Sequence, residues 1–154
     1  MGMLDRYRKK DGFKQLLYLI ETCNPQKKTQ FMNIVKTEDP KWADLISKKM
    51  LTIEVIFSWS AEVLGEFTVE IPPRTLAIAA KKPGKDALMK AIATLPHLKQ
   101  REIEEMFNSL SPSPNEIYAA GIKVIEKVRQ LTDSGKIRFD RFAPDLVLTP
   151  EEAA

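Results

Sequence analysis

The chain has 154 residues, of which 44% are hydrophobic and 29% are charged, and its formal net charge is +3. A chain of this length and composition can fill a core without metal ions, and a single cysteine, Cys23, excludes an intramolecular disulfide. Its apolar runs fall short of the roughly 18 residues that a membrane-spanning helix needs. We therefore expect a globular cytoplasmic protein with no membrane insertion.

The positive charge is concentrated in residues 1–50, which hold 11 Lys and Arg against 6 Asp and Glu. The densest stretch is Arg6-Tyr7-Arg8-Lys9-Lys10, and we predict that residues 1–10 form a flexible basic arm. Such an arm can contact nucleic acid, but it is more often simply solvated. A small helical nucleic-acid-binding protein that uses this basic third is therefore the alternative function, and we expect nucleic acid to be the less favoured partner.

Residues 11–50 are predicted to form three short helices. Asn24-Pro25 and Asp39-Pro40 each place a capping side chain before a proline, and proline suits the first helical position because its missing N–H would be unpaired there anyway. Turns of two or three residues join the helices, which is typical of an armadillo-like helical unit. Because so few residues cannot bury both faces, we expect one face to stack on a neighbour, within the chain or in a second copy as a homo-oligomer.

The third helix should end near Met50, and Thr52 can cap the next one. Met50, Leu51 and Ile53 then form an apolar segment between two helical bodies, with no glycine to loosen it. We predict that these three residues are a hinge.

Residues 51–148 are predicted to form a second, all-α domain. Ser60, Gly84 and the pair Ser113/Glu116 mark helix starts, whereas residues 68–71 alternate like a strand and are expected to be an extended connector. Residues 136–148 should dock on this helical bundle, and residues 149–154 are expected to be a disordered tail.

The helix from Pro96 to Leu110 carries the most informative pattern. Its predicted buried stripe is Ile103, Met106, Phe107 and Leu110. The opposite face is charged, and an exposed pair such as Arg101 and Glu105 contributes only a few tenths of a kcal/mol. We therefore expect the charges to serve contact with a partner more than stability. They are Lys99, Arg101, Glu102, Glu104 and Glu105.

The residues that usually carry catalysis are sparse and scattered. His97 is the only histidine, and Cys23 has neither a second cysteine nor a nearby histidine with which to form a metal site. Glu104 and Glu105 are adjacent on a helix, so their side chains diverge and cannot act as a paired acid and base. No glycine-rich phosphate-binding motif is present. We expect no enzyme activity and no catalytic, metal or cofactor-binding site.

Several segments resemble, in register, the flagellar motor switch protein family FliG. Glu38-Asp39-Pro40, Ala43, Ile46 and Lys49-Met50 match the family pattern E-D-P-x-x-A-x-x-I-x-x-[KR]-M that precedes its Met-Phe-x-Phe hinge, although Leu51 and Ile53 replace the hinge aromatics. The likeness covers residues ~12 to 137. Its further segments are Leu76–Lys81, Ala91–Leu95, Leu110–Pro112 and Ser134–Ile137.

The resemblance implies an armadillo-like unit followed by a right-handed helical bundle of the FliG C-terminal type. It implies a short, divergent paralogue without the family's N-terminal domain, acting as a protein–protein interaction module in the motor switch and in motility. The implied partners are switch or stator components at the cytoplasmic face of the inner membrane, and no cofactor is implied.

In this family a charged helix of the C-terminal domain faces the stator. Lys81 and Glu105 fall on charged family positions, whereas Leu98, Met106 and Pro114 stand where the family has an arginine, an aspartate and an arginine. Whether stator contact survives these departures stays open. The surface expected to face a partner consists of Lys81, Lys99, Arg101, Glu104 and Glu105, with Lys99 and Arg101 substituting for lost charges.

Overall fold

The computed structural model describes residues 2–148, and over this range it contains helices, turns and no strand. The all-α prediction is therefore confirmed. The predicted disordered tail, residues 149–154, lies outside the described residues. The described chain divides into two compact units, one formed by residues 2–50 together with 139–148, the other by Leu51–Arg138.

The first unit contains α1 (Gly12–Thr22), α2 (Pro25–Glu38) and α3 (Pro40–Lys49), with 3-10 segments at Met3–Tyr7, Phe139–Arg141 and Pro144–Leu146. The second unit contains α4 (Ile53–Phe57), α5 (Ala61–Thr68), α6 (Pro73–Ala79), α7 (Lys85–Ala91), α8 (His97–Ser109) and α9 (Pro114–Asp133).

The predicted helix starts are formed by the expected side-chain caps. Asn24 accepts a hydrogen bond from the N–H of Lys27, Asp39 from Trp42, and Thr52 from Val55. At α9 the capping box is complete. Ser113 and Glu116 each accept from the other's backbone N–H there.

The first unit has its own core, and its start contributes to it. The N–H groups of Met3 and Leu4 donate to the two carboxylate oxygens of Glu38, and Leu4 is 1% exposed. Residues 3–7 are therefore packed, and the expected flexible arm is not seen there. This segment was predicted to be flexible from its basic residues, but its apolar residue Leu4 is buried and anchors it. The buried core residues are Leu4, Phe13, Leu16, Leu17, Ile20, Val35, Ala43 and Ile46.

Arg8 connects this N-terminal segment to α3. Its guanidinium lies 2.8 Å from the Asp39 carboxylate and 4.1 Å from the centre of the Trp42 ring. The hydrogen bond from Arg8 holds the pKa of the Asp39 carboxyl below its usual value. At least one of the basic residues predicted to be free therefore stabilises the fold.

The C-terminal segment also differs from its prediction, because residues 139–148 belong to the first unit instead of the bundle. Lys49 Nζ donates to the carbonyls of Asp145 and Val147, at 2.8 and 2.9 Å. Leu146 is buried, and Leu148 packs against the first core. Apolar spacing showed that the segment needs an apolar surface but could not show which one, so the predicted domain end at 148 moves to 138.

The second unit is built around α6. Every residue from Leu76 to Ala80 is buried, and α6 packs against both α8 and α9. On α9, Gly121 lets α4 approach closely, since a Cβ atom there would lie 2.9 Å from Ile53 Cγ1. The small side chains thus allow three helices to meet at short distance.

The expected extended connector at residues 68–71 is instead a turn. The N–H of Glu70 donates to the carbonyl of Phe67, and the N–H of Ile71 donates to that of Thr68. The alternation of Thr68-Val69-Glu70-Ile71 resembled a strand, but an isolated strand would leave its backbone groups unpaired, whereas the turn pairs two of them.

Replacing Gly12 by alanine tests whether the N-terminal segment is packed. A Cβ atom at Gly12 would lie 1.8 Å from the Tyr7 carbonyl oxygen, so we expect a loss of about 1–3 kcal/mol in unfolding free energy. Urea denaturation followed by Trp42 fluorescence, in a Trp59→Phe background, measures it. A stabilisation of about 1 kcal/mol, the helix-propensity gain, would instead indicate a free arm.

Replacing Asp39 by asparagine keeps a capping side chain but removes the charge that pairs with Arg8. Because the folded pKa of Asp39 is lowered, its contribution is present above the unfolded value near 3.9 and is lost as pH falls through the folded value. We expect the variant to lose about 1 kcal/mol or less at pH 7, since the Arg8 side chain is 42% exposed, and nothing near pH 2.

The control for this variant is Asp44→Asn. Asp44 pairs with Lys48 at 2.9 Å, but both side chains are about two-thirds exposed. Its unfolding free energy should therefore stay within about 0.3 kcal/mol of the parent at both pH values. An equal loss in the two variants would contradict a specific role for the Arg8–Asp39 pair.

Candidate partner-binding surface

Helix α8 lies at the surface of the second unit with little of its own surface buried. Within its predicted buried stripe, Ile103 is fully buried, whereas Met106, Phe107 and Leu110 are half-buried. The prediction identified the face of α8 that packs on the unit, but it overestimated how far three of the four side chains are buried. Burial alone therefore holds α8 weakly.

Two side chains bind α8 to its neighbours through backbone carbonyls. Near its start, Gln100 Nε2 donates to the carbonyls of Ala93 and Leu95, at 3.2 and 2.7 Å. Near its end, Lys81 Nζ donates to the carbonyl of Phe107 and lies 4.3 Å from the centre of the Phe107 ring. Both ends of the helix are thus fixed by polar contacts.

The structure brings four of the five residues expected to face a partner onto this one helix. Lys99, Arg101 and Glu105 are exposed, and Glu104 is half-buried. The fifth, Lys81, follows α6, and its amine contacts the end of α8. These four form what we call the α8 charged face: Lys99, Arg101, Glu104 and Glu105.

The ion pair on α8 differs from the expected one. Lys99 lies 3.5 Å from Glu102, with both side chains 48% exposed, and no ion pair joins Arg101 to Glu105 among residues 2–148. At such exposure the pair contributes little to stability. The α8 charged face is therefore accessible to another molecule.

An exposed apolar side chain, that of Leu98, lies on the same helix as these charges. Leu98 is 81% exposed, and Pro114, the first residue of α9, is also exposed. These are two of the positions at which the sequence departs from the charged family pattern. The α8 surface is consequently mixed, with apolar and charged groups side by side.

An open cleft of about 410 Å³ lies between the turn after α5 and the start of α8. Its walls are mainly apolar, and Val69 on one wall is 65% exposed. The sequence did not reveal this cleft, because the alternation at residues 68–71 indicated a connector. Pro72-Pro73 and, further along, Pro96 are the signal of two rigid turns that could have indicated it. The lining residues are Thr68, Val69, Glu70, Ile71, Pro72, Pro73, Leu95, Pro96, Lys99 and Ile103.

Two ionisable residues singled out in the sequence, His97 and Cys23, are placed by the structure. Over residues 2–148, no group of three or more His, Cys, Asp or Glu side chains could hold a metal ion. His97 is exposed at the start of α8. Burial raises the pKa of the Cys23 thiol, so it stays protonated at neutral pH. No helix in the described part of the chain is long and apolar enough to cross a membrane.

The predicted hinge coincides with the division between the two units, which falls between Met50 and Leu51. Met50 has an extended backbone and ends α3, while Leu51 is fully buried. Ile53 is buried at the start of α4, close to Gly121. Motion at this point stays a prediction.

Comparison with known proteins gives one family match. The family model for the FliG C-terminal domain matches residues 33–139, from the middle of α2 to just beyond α9. It therefore includes the predicted hinge and all of α8. The predicted likeness of residues 12–32 lies outside the matched range. No curated protein matches the chain.

Neutralising the α8 charged face should leave stability unchanged if these charges are free to serve binding. We expect Lys99→Ala, Arg101→Ala and Glu105→Gln each to change the unfolding free energy by less than about 0.5 kcal/mol. Ile103→Ala should cost about 2–4 kcal/mol, because Ile103 is the buried residue of α8. Urea denaturation followed by Trp59 fluorescence checks both. A loss above 1.5 kcal/mol in a charge variant would mean that the charge supports the fold.

Proposed function

Because the chain belongs to the FliG family through its C-terminal domain, we propose that it is a short FliG-like protein–protein interaction module, a component or paralogue of the flagellar motor switch. The match over residues 33–139 carries this proposal. The family is a non-catalytic, structural switch protein linked to the flagellar motor. The role proposed for this chain is docking, at the cytoplasmic face of the inner membrane, in support of motility.

The surface proposed for docking is the α8 charged face together with Leu98. Exposed charges contribute little affinity but steer the approach of a partner and select among partners. Leu98, 81% exposed, adds apolar area beside them. We propose that contact with a switch or stator component uses charge to orient the encounter and apolar contact to hold it, so the departures at Leu98 and Pro114 rearrange the interface and do not abolish it.

A second copy of the chain is proposed as a partner for the first unit. On α2, Val35 is buried, whereas Phe31 and Met32 are half-buried and Ile34 is 39% exposed. Leu19 on α1 is 38% exposed. The exposure of two of these apolar side chains, Ile34 and Leu19, supports the proposed stacking of armadillo-like units between copies.

Nucleic-acid binding is supported less well. Arg8 is engaged by Asp39 and Trp42, and Lys49 donates to backbone carbonyls of the C-terminal segment. Two of the cations in residues 1–50 are therefore engaged within the protein and are less available to bind phosphates. Nucleic-acid binding would require a steep salt dependence, and no gel shift at low salt would remove this alternative.

The proposal is tested by affinity purification of the tagged chain from its own host, with swimming assays of a deletion strain. We expect switch or stator components to co-purify and swimming or switching to be impaired. A charge reversal on α8, Arg101→Glu, should reduce co-purification, whereas the matched reversal Lys123→Glu, on an exposed position of α9, should not.

Recovery of no switch or stator component, together with normal motility of the deletion strain, would contradict the proposal. Equal effects of Arg101→Glu and Lys123→Glu, which change the net charge by the same amount, would show that net charge matters and that α8 is not the contact surface.

A further inference from the structure

We infer that Lys81 is a positioning residue that holds the C-terminal end of α8, and that it does not contact the partner itself. This inference rests on the proposed function, because Lys81 affects binding only if α8 is the surface that contacts the partner. It reassigns one of the five residues that the sequence placed on the partner-facing surface.

The backbone of Lys81 is firmly placed. It follows directly after Ala80, and the preceding residues of α6 from Leu76 onward are all buried between α8 and α9. The side chain therefore extends from a fixed point in the core. It ends at the carbonyl of Phe107, 26 residues further along the chain.

The Phe107 carbonyl, in the last turn of α8, accepts this hydrogen bond because no backbone N–H of the helix donates to it. The last four carbonyls of a helix have no intrahelical partner. Here the N–H of Leu110 donates to the Met106 carbonyl, and Ser111, whose N–H would be the next donor in the series, makes no backbone hydrogen bond to Phe107. Lys81 supplies a donor to the next carbonyl, that of Phe107.

The charge of Lys81 also suits this place. A cation stabilises the C-terminal end of a helix, yet α8 has no basic residue in its last turn. The ammonium group lies 4.3 Å from the centre of the half-buried Phe107 ring, which adds a cation–π contact. Lys81 thus provides from α6 the cation that the sequence of α8 lacks.

The contact matters because α8 has a single buried residue, Ile103. Arg101, Glu104 and Glu105 lie within two turns of Phe107, so the placement of these charges depends on how firmly the end of α8 is held. An ammonium group committed to a carbonyl and a ring is not displayed to a partner. Lys81 would therefore affect binding through the position of α8.

The neighbouring Lys82 provides a matched control. It forms an ion pair with Glu54 at 2.9 Å, its side chain is 61% exposed, and it carries the same charge. Lys81→Met removes the donor but keeps an unbranched apolar stem over the ring. Lys81→Arg keeps a cationic donor, and Lys82→Met repeats the charge loss one position away.

Amide hydrogen exchange of the isolated chain provides the first readout and requires no partner. We expect Lys81→Met to speed exchange of the Met106–Leu110 amides by about tenfold or more. Lys81→Arg should largely restore protection, and Lys82→Met should leave these amides unchanged. Equal exchange in the parent and Lys81→Met would overturn the inference.

Amine labelling of the native chain provides the second readout. With an acylating reagent and mass spectrometry, we expect Lys81 to react about tenfold or more slowly than Lys82, and both to react alike in urea. Equal reactivity in the folded chain would show that the Lys81 amine is displayed, which would overturn the inference.

A third comparison separates this inference from the proposed function. A positioning role predicts that, in Lys81→Met and Lys81→Glu, the loss of partner recovery follows the rise in hydrogen exchange of the Met106–Leu110 amides. A direct charge contact predicts lower partner recovery with unchanged exchange of these amides, which would overturn the inference. If hydrogen exchange changes as expected but neither variant affects partner recovery or swimming, Lys81 does hold α8, and the partner surface proposed on α8 is wrong.

Discussion

The second unit depends on the burial of residues 76–80, which are the second half of α6 and the residue that follows it. The run Leu76-Ala77-Ile78-Ala79-Ala80 has no exposed side, and its small residues let α8 and α9 approach from different directions. A helical segment that is buried on every side is rigid, because close packing leaves it no room to shift. A helix that packs on this segment can have few buried side chains and still have a fixed position. Helix α8, with Ile103 as its buried residue, is held in this way.

Shallow burial suits a helix that serves binding. A deeply buried amphipathic helix would use its side chains for the fold, whereas α8 keeps Lys99, Arg101 and Glu105 in solvent. The fold fixes it through carbonyl contacts from Gln100 and Lys81, which leave the outer face unoccupied. Membership in the FliG family links this chain to the flagellar motor switch.

Sequence patterns predicted the helical elements well because their signals are local. The caps at Asn24, Asp39, Thr52 and Ser113 depend on residues within one helical turn, and the structure forms all of them. The turn at residues 68–71 was missed for a related reason. Its alternation is also local, but the choice between strand and turn depends on whether a pairing partner exists elsewhere.

Several other misses concern contacts between distant parts of the chain. The anchoring of Leu4 depends on a carboxylate 34 residues away, and Lys49 contacts a carbonyl 96 residues away. The same holds at the candidate surface, where the charges of α8 were readable from spacing, while the contact of Lys81 with Phe107 was not. Side-chain bonds to backbone carbonyls leave no compositional trace, because any residue supplies the carbonyl.

We propose that this chain binds a motor protein through α8. Photocrosslinking in the living host tests it most directly, with a photoreactive amino acid placed at Glu105 on α8 or at Lys123 on α9. We expect adducts from position 105 that contain a switch or stator component, and none from position 123. Adducts from position 123 alone, or no motor protein in any adduct, would contradict it.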